Sequence, residues 1–114
     1  MGDLETVKNL PKILHLYWDL SPMSKLQTLT VKTFHELNPD WEIRLYVPNE
    51  KSIVNKKYIP DYTGKNHLVD VASLEYVKLL KVDMEGLGIP KGIHDILRSD
   101  IFRYYVLYND GGIW

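Results

Sequence analysis

The sequence predicts an alternating α/β fold on a parallel sheet, and three observations carry that reading. Lys12 to Trp18 (K-I-L-H-L-Y-W) is an unbroken apolar and aromatic run, the composition of a strand covered on both faces. A stretch with helical spacing follows it. Trp41, Ile43, Leu45 and Val47 then alternate with Glu42, Arg44 and Tyr46, as in a strand with one face in a core. Strand, helix and strand with short joints make a right-handed crossover, which sets the two strands parallel.

The first strand is the longest apolar run and is expected at the centre of the sheet. Ser21-Pro22 offers a capping serine with proline at the first helical position, and Leu26, Leu29, Thr33 or Phe34, and Leu37 then recur at helical spacing. That helix must end near Asn38, because proline at 39 disfavours helix in the residue before it. The second strand, Trp41 to Val47, closes at Pro48-Asn49. Residues 49 to 70 are polar and contain Pro60 and Gly64, which predicts an irregular excursion. Tyr76 to Val82 (Y-V-K-L-L-K-V) reads as a third strand, and Gly86 to Gly92 as a loop into a final helix. On that helix Leu97, Ile101, Tyr104 and Tyr108 have the spacing of a face docked on a core. Tyr104 and Tyr105 are adjacent and so point to different faces, which predicts that one of them is core. Gly111 supplies the helix stop, Gly112 permits a change of direction, and an apolar strand begins at Ile113. No repeat, low-complexity tract or linker divides the chain, so residues 1–114 form one domain or the first part of one.

Composition excludes several function classes. The 114 residues are 45% hydrophobic and 25% charged, ordinary for a soluble globular domain. A formal net charge of -1 with interspersed lysines leaves no basic stripe for a phosphate backbone, so nucleic acid is not an expected partner. Absence of cysteine removes disulfides and thiolate metal sites and fits a cytoplasmic protein. No run approaches the roughly 20 apolar residues that a transmembrane helix needs.

Several side chains could carry chemistry. Asp100 and Arg103 are at i and i+3, so they project from one helical face and can act together. From spacing alone they read as a surface ion pair. Trp18 stands at the carboxyl end of a parallel strand, where open α/β sheets collect ligands. His15 is flanked by apolar residues within a strand and reads as a buried, hydrogen-bonded histidine. His35 on the first helix and His67 and His94 in loops add no metal-ligand spacing. Asp95 and Arg98, again at i and i+3, read as a solvated pair.

Three blocks of this sequence resemble a known family. Pro11 to Trp18 (P-K-I-L-H-L-Y-W), Asn38 to Glu42 (N-P-D-W-E) and Ser99 to Trp114 (S-D-I-F-R-Y-Y-V-L-Y-N-D-G-G-I-W) are similar, in order and spacing, to glycosyltransferases that carry an Asp-X-Asp sugar-binding motif. That group includes capsular polysaccharide and yeast mannosyl transferases and, more distantly, the glucosylating clostridial toxins. The resemblance implies an A-type nucleotide-sugar fold with a Rossmann-like parallel sheet and a nucleotide-diphosphate sugar as ligand. It implies that Trp18 stacks on the nucleotide base and that Asp100, Arg103 and Trp114 contact the donor sugar. Transfer would retain the anomeric configuration, to a glycan, lipid or protein acceptor that the sequence does not specify. Mn²⁺ or Mg²⁺ would be held by the Asp-X-Asp acids, which by family spacing fall two and four places beyond Trp114. The chain is therefore expected to be an amino-terminal part, inactive as a transferase alone. It departs from the toxin-like members at Asp19-Leu20, where those carry glycines. The competing reading is a non-catalytic α/β module that binds a nucleotide or a partner protein. A dinucleotide-dependent oxidoreductase is disfavoured, since no G-x-G-x-x-G follows the first strand.

Overall fold

In the computed structural model, residues 10–49, 64–90 and 92–114 are described. They form β1 (Ile13–Tyr17), α1 (Lys25–Leu37), β2 (Glu42–Pro48), α2 (Leu68–Ala72), β3 (Val77–Val82) and α3 (Asp95–Asp110). The strands make a parallel sheet in the order β1-β2-β3, with Leu14 opposite Ile43 and Ile43 opposite Val77. Beyond α3 the chain returns to the free side of β1. The His15 N–H donates to the Ile113 carbonyl at 2.8 Å, and the Ile113 N–H to the Ile13 carbonyl at 2.9 Å. Ile113 thus makes an isolated parallel bridge to Leu14, but the middle strand of the three is β2, not β1 as its apolar run predicts. Trp41 stands just before β2, its ring edge-on to Phe34 at 5.8 Å.

Strand alternation sends side chains into two layers. Leu14, Ile43, Leu45 and Val77 pack with Met23 and Val31 from the α1 side and Val71 from α2, and Leu16, Trp18 and Phe34 border this cluster. On the other side Tyr46 packs with Met84, Ile89 and the α3 residues Phe102 and Val106, bordered by Tyr17, Leu80 and Trp114. Burial on both sides of a parallel sheet is the arrangement that crossover helices impose.

Both long helices differ from the sequence expectation in the face they bury. The cap of α1 is Ser24, not Ser21: its side chain accepts the Gln27 N–H while the Gln27 side chain accepts the Ser24 N–H. This reciprocal box satisfies two helix-end donors, whereas Ser21 is held by Asp19. Buried Met23 anchors the helix start, its N–H donating to Asn66 Oδ1 at 2.9 Å. From there Thr28, Val31 and Phe34 face inward, and Leu26, Leu29 and Leu37, expected in the core, are exposed. The helix ends as expected, with the Asn38 N–H on the Phe34 carbonyl at 2.9 Å.

On α3 the inward residues are Arg98, Phe102 and Val106, at four-residue intervals. Leu97, Ile101, Tyr104 and Tyr108 form the exposed face, Tyr108 being 90% accessible. Tyr105 is exposed as well, so neither adjacent tyrosine is core. Phe102 decides the orientation: its ring meets those of Tyr46 at 5.0 Å, Tyr17 at 6.1 Å and Trp114 at 6.2 Å. Arg98, one turn before it, is only 2% accessible, which overturns the expectation of a solvated residue. Within the expected excursion of residues 49 to 70, the short α2 begins at Leu68 and buries Val71 completely; residues 50–63 lie outside the described residues. No helix among the described residues is long and apolar enough to cross a membrane.

Candidate functional site

Because β2 and β3 step away from β1 on one side and Ile113 enters on the other, the strand order reverses at β1. In open α/β sheets, ligands gather outside the carboxyl ends of the strands at such a reversal. Here that place is the end of β1 and the loop after it. The Trp18 N–H donates to the Tyr46 carbonyl at 2.9 Å, which extends the pairing one residue past the strand. Its indole N–H donates to the Ser21 carbonyl at 2.6 Å, and Asp19 Oδ1 accepts both the N–H (3.0 Å) and the hydroxyl (2.6 Å) of Ser21. Between them Leu20 has a φ of 74°, a left-handed backbone that costs a side-chain-bearing residue about 1–2 kcal/mol. The departure from glycine at Asp19-Leu20 therefore leaves a turn of glycine-like shape, closed by its own polar groups.

The second component is the joint between α3 and β1. Gly111 ends the helix at φ 70°, ψ -157°, a region essentially restricted to glycine, and its N–H donates to the Leu107 carbonyl. Gly112 follows at φ 87°, where an added Cβ would stand 2.5 Å from the Ile13 carbonyl oxygen. His15 closes the joint. Fully buried, it contacts the Gly111 carbonyl through Nε2 at 2.7 Å and the Tyr46 hydroxyl through Nδ1 at 2.8 Å. The sequence reading of His15 as a buried, hydrogen-bonded histidine matches this geometry.

Electrostatics tighten the same region. Arg44 bonds to Glu42 and, at 2.9 Å, to Asp110 at the last residue of α3. Its hydrogen bond with Tyr46, more than that with Glu42, raises the Arg44 pKa further above its ordinary value. Burial pushes the Tyr46 phenol up, and the Arg44 guanidinium beside it partly offsets that rise.

The helix end tied to Arg44 and Ile13 lies over the amino ends of the strands, so α3 starts toward the carboxyl edge. Asp100 and Arg103 fall in its second and third turns. They form an ion pair at 3.4 Å, both half-exposed, with the Arg103 guanidinium 5.4 Å from the centre of the Tyr104 ring. The structure brings these two together, but it does not bring them to Trp18. Trp18 borders the α1-side cluster, whereas α3 covers the opposite face of the sheet. A ligand touching all three must lie across the carboxyl edge, the line that the two layers share. Trp114 packs edge-on against Phe102 in the α3-side cluster.

A cavity of about 510 Å³ lies elsewhere, between β3 and α3, lined by Tyr46, Leu80, Leu87, Phe102, Tyr105 and Val106. None of the expected site residues lines it. Among the described residues no group of three or more His, Asp or Glu could hold a metal ion. What sequence reasoning missed is the joint: His15, Tyr46 and Gly111 lie far apart along the chain, and only the double glycine hinted at a close approach. Compared with known proteins, the chain matches no family model, no curated protein and no solved structure.

Proposed function

We propose that this chain is the nucleotide-sugar-binding part of a cytoplasmic glycosyltransferase with the A-type fold, which moves a sugar from a nucleotide diphosphate to an acceptor hydroxyl. One observation carries the reading: the two blocks that most resemble the Asp-X-Asp transferases are hydrogen-bonded to each other, His15 to Ile113 and Gly111 and Ile113 to Ile13. A resemblance spread over distant blocks gains support when the fold joins those blocks side by side, as it does here along β1.

In this proposal Trp18 offers its ring face to the base. The Asp100 carboxylate accepts hydrogen bonds from sugar hydroxyls, the Arg103 guanidinium donates to sugar oxygens in a fixed fork, and Trp114 borders the sugar. In the transfer the acceptor oxygen replaces the diphosphate oxygen on the anomeric carbon, and the hydroxyl proton leaves with the diphosphate. A divalent ion on the diphosphate belongs to the proposal, with its ligands at the two acids expected beyond Trp114. The second reading, a non-catalytic nucleotide- or partner-binding module, is favoured by the mutual pairing of Asp100 and Arg103 in a different layer from Trp18.

Arg103→Ala tests the proposal by calorimetry. The half-exposed pair with Asp100 is worth only a few tenths of a kcal/mol, so stability should barely change. Any preference for a nucleotide sugar over the bare nucleotide diphosphate should disappear. An unchanged preference removes Arg103 from the sugar site and favours the module.

A further inference from the structure

Resting on the nucleotide-sugar reading, we infer that His15 is a positioning residue: it fastens the Gly111-Gly112 turn to the sheet and so sets where Ile113 and Trp114 stand beside a bound donor. Both ring nitrogens are spent inside the protein. The Gly111 carbonyl can only accept, so Nε2 carries a proton; in the neutral ring Nδ1 then receives the Tyr46 O–H. The imidazole also lies nearly parallel to the Tyr46 ring, at 5.7 Å and 22°. Nothing is left on His15 to bind a ligand or to move a proton in catalysis.

Strand register is set strongly only where burial of one face specifies it. Ile113 does not supply such burial, being 37% accessible. Its place is fixed by the polar joint and by the fit of Gly112, whose Cα approaches β1 so closely that an added Cβ would lie 3.2 Å from His15 Nε2. The histidine of the first block and the double glycine of the last therefore form one device. Through it a buried side chain controls the edge of the proposed donor site without touching the donor.

Amide hydrogen exchange with His15→Phe and His15→Gln decides this. The Ile113 N–H is bonded to Ile13, not to His15, so its protection reports the position of the segment. H15F keeps ring volume but loses both hydrogen bonds, and should speed Ile113 exchange about tenfold while β2 amides stay protected. H15Q places an amide donor near Nε2 and should return exchange to within about threefold of wild type. Affinity for uridine and guanosine diphosphate sugars should follow the same order. Should H15F not fold, Tyr46→Phe decides, because loss of the hydroxyl that orients the ring must also speed Ile113 exchange. Unchanged Ile113 protection, or a freed Ile113 with donor affinity unchanged, overturns the inference. Wild-type protein that binds no nucleotide sugar overturns the proposed function instead, and the exchange data still judge the joint.

Discussion

Gly112→Ala is the substitution the structure penalises most specifically. The φ of 87° costs an alanine about 1–2 kcal/mol. The new Cβ would stand 2.5 Å from the Ile13 carbonyl oxygen and 3.0 Å from the Ile13 side chain. That carbonyl accepts the Ile113 N–H and belongs to a strand paired on both sides, so it cannot retreat without breaking the bond, a further loss of about 1 kcal/mol. The sum is about 2–3 kcal/mol, or about 10 °C in Tm for a domain near this size. Gly88→Ala is the control: its φ is 85°, but no atom lies within 4 Å of the added carbon, so only the backbone cost of about 1–2 kcal/mol applies, without the lost hydrogen bond. Urea unfolding of both variants, followed by tryptophan fluorescence, measures the difference. Equal losses would refute the close approach of Gly112 to β1.

Two further outcomes follow from the packing and the titrating groups. Phe102→Ala should cost about 3–5 kcal/mol, while Tyr108→Ala should stay within about 0.5 kcal/mol in the same unfolding assay; the reverse order would restore the face that sequence periodicity favours. Tyr46 has a folded pKa above its ordinary 10.0, so its contribution to stability is complete below about pH 10 and is lost as pH rises through the folded value. Wild type should therefore lose stability faster than Tyr46→Phe above pH 10, and parallel curves would place the phenol in solvent.

The sheet was legible because strand patterns have one reading here. The run ending in Trp18 reads as a strand and is one, whereas the alternation from Ile43 to Val47 identified the strand but not its burial on both faces, since Tyr46 packs in the α3-side core. The helices were not legible in the same way. Each carries two apolar stripes, Leu26, Leu29 and Leu37 against Val31 and Phe34 on α1, and Leu97, Ile101, Tyr104 and Tyr108 against Phe102 and Val106 on α3. Periodicity detects a stripe but cannot choose between two; tertiary anchors at Met23 and Phe102 make the choice. Arg98 lies on the inner face of α3, where pattern reasoning does not place a charge. For the candidate site, the position of Trp18 at a carboxyl strand end was readable from order alone. Its separation from Asp100 and Arg103 by the thickness of the sheet was not, since it depends on which side of the sheet α3 covers. The His15 joint spans sequence separations of 31 and 96 residues, beyond any local pattern.

The central claim, that the carboxyl edge of this sheet binds a nucleotide-diphosphate sugar, is tested most directly by nuclear magnetic resonance of ¹⁵N-labelled protein titrated with uridine and guanosine diphosphate sugars. The account predicts progressive shifts at the indole N–H of Trp18, at the Ser21 amide and at the Arg103 side chain, with the amino ends of the strands unaffected. Shifts confined to the cavity between β3 and α3, or no shifts with any nucleotide sugar, would contradict it.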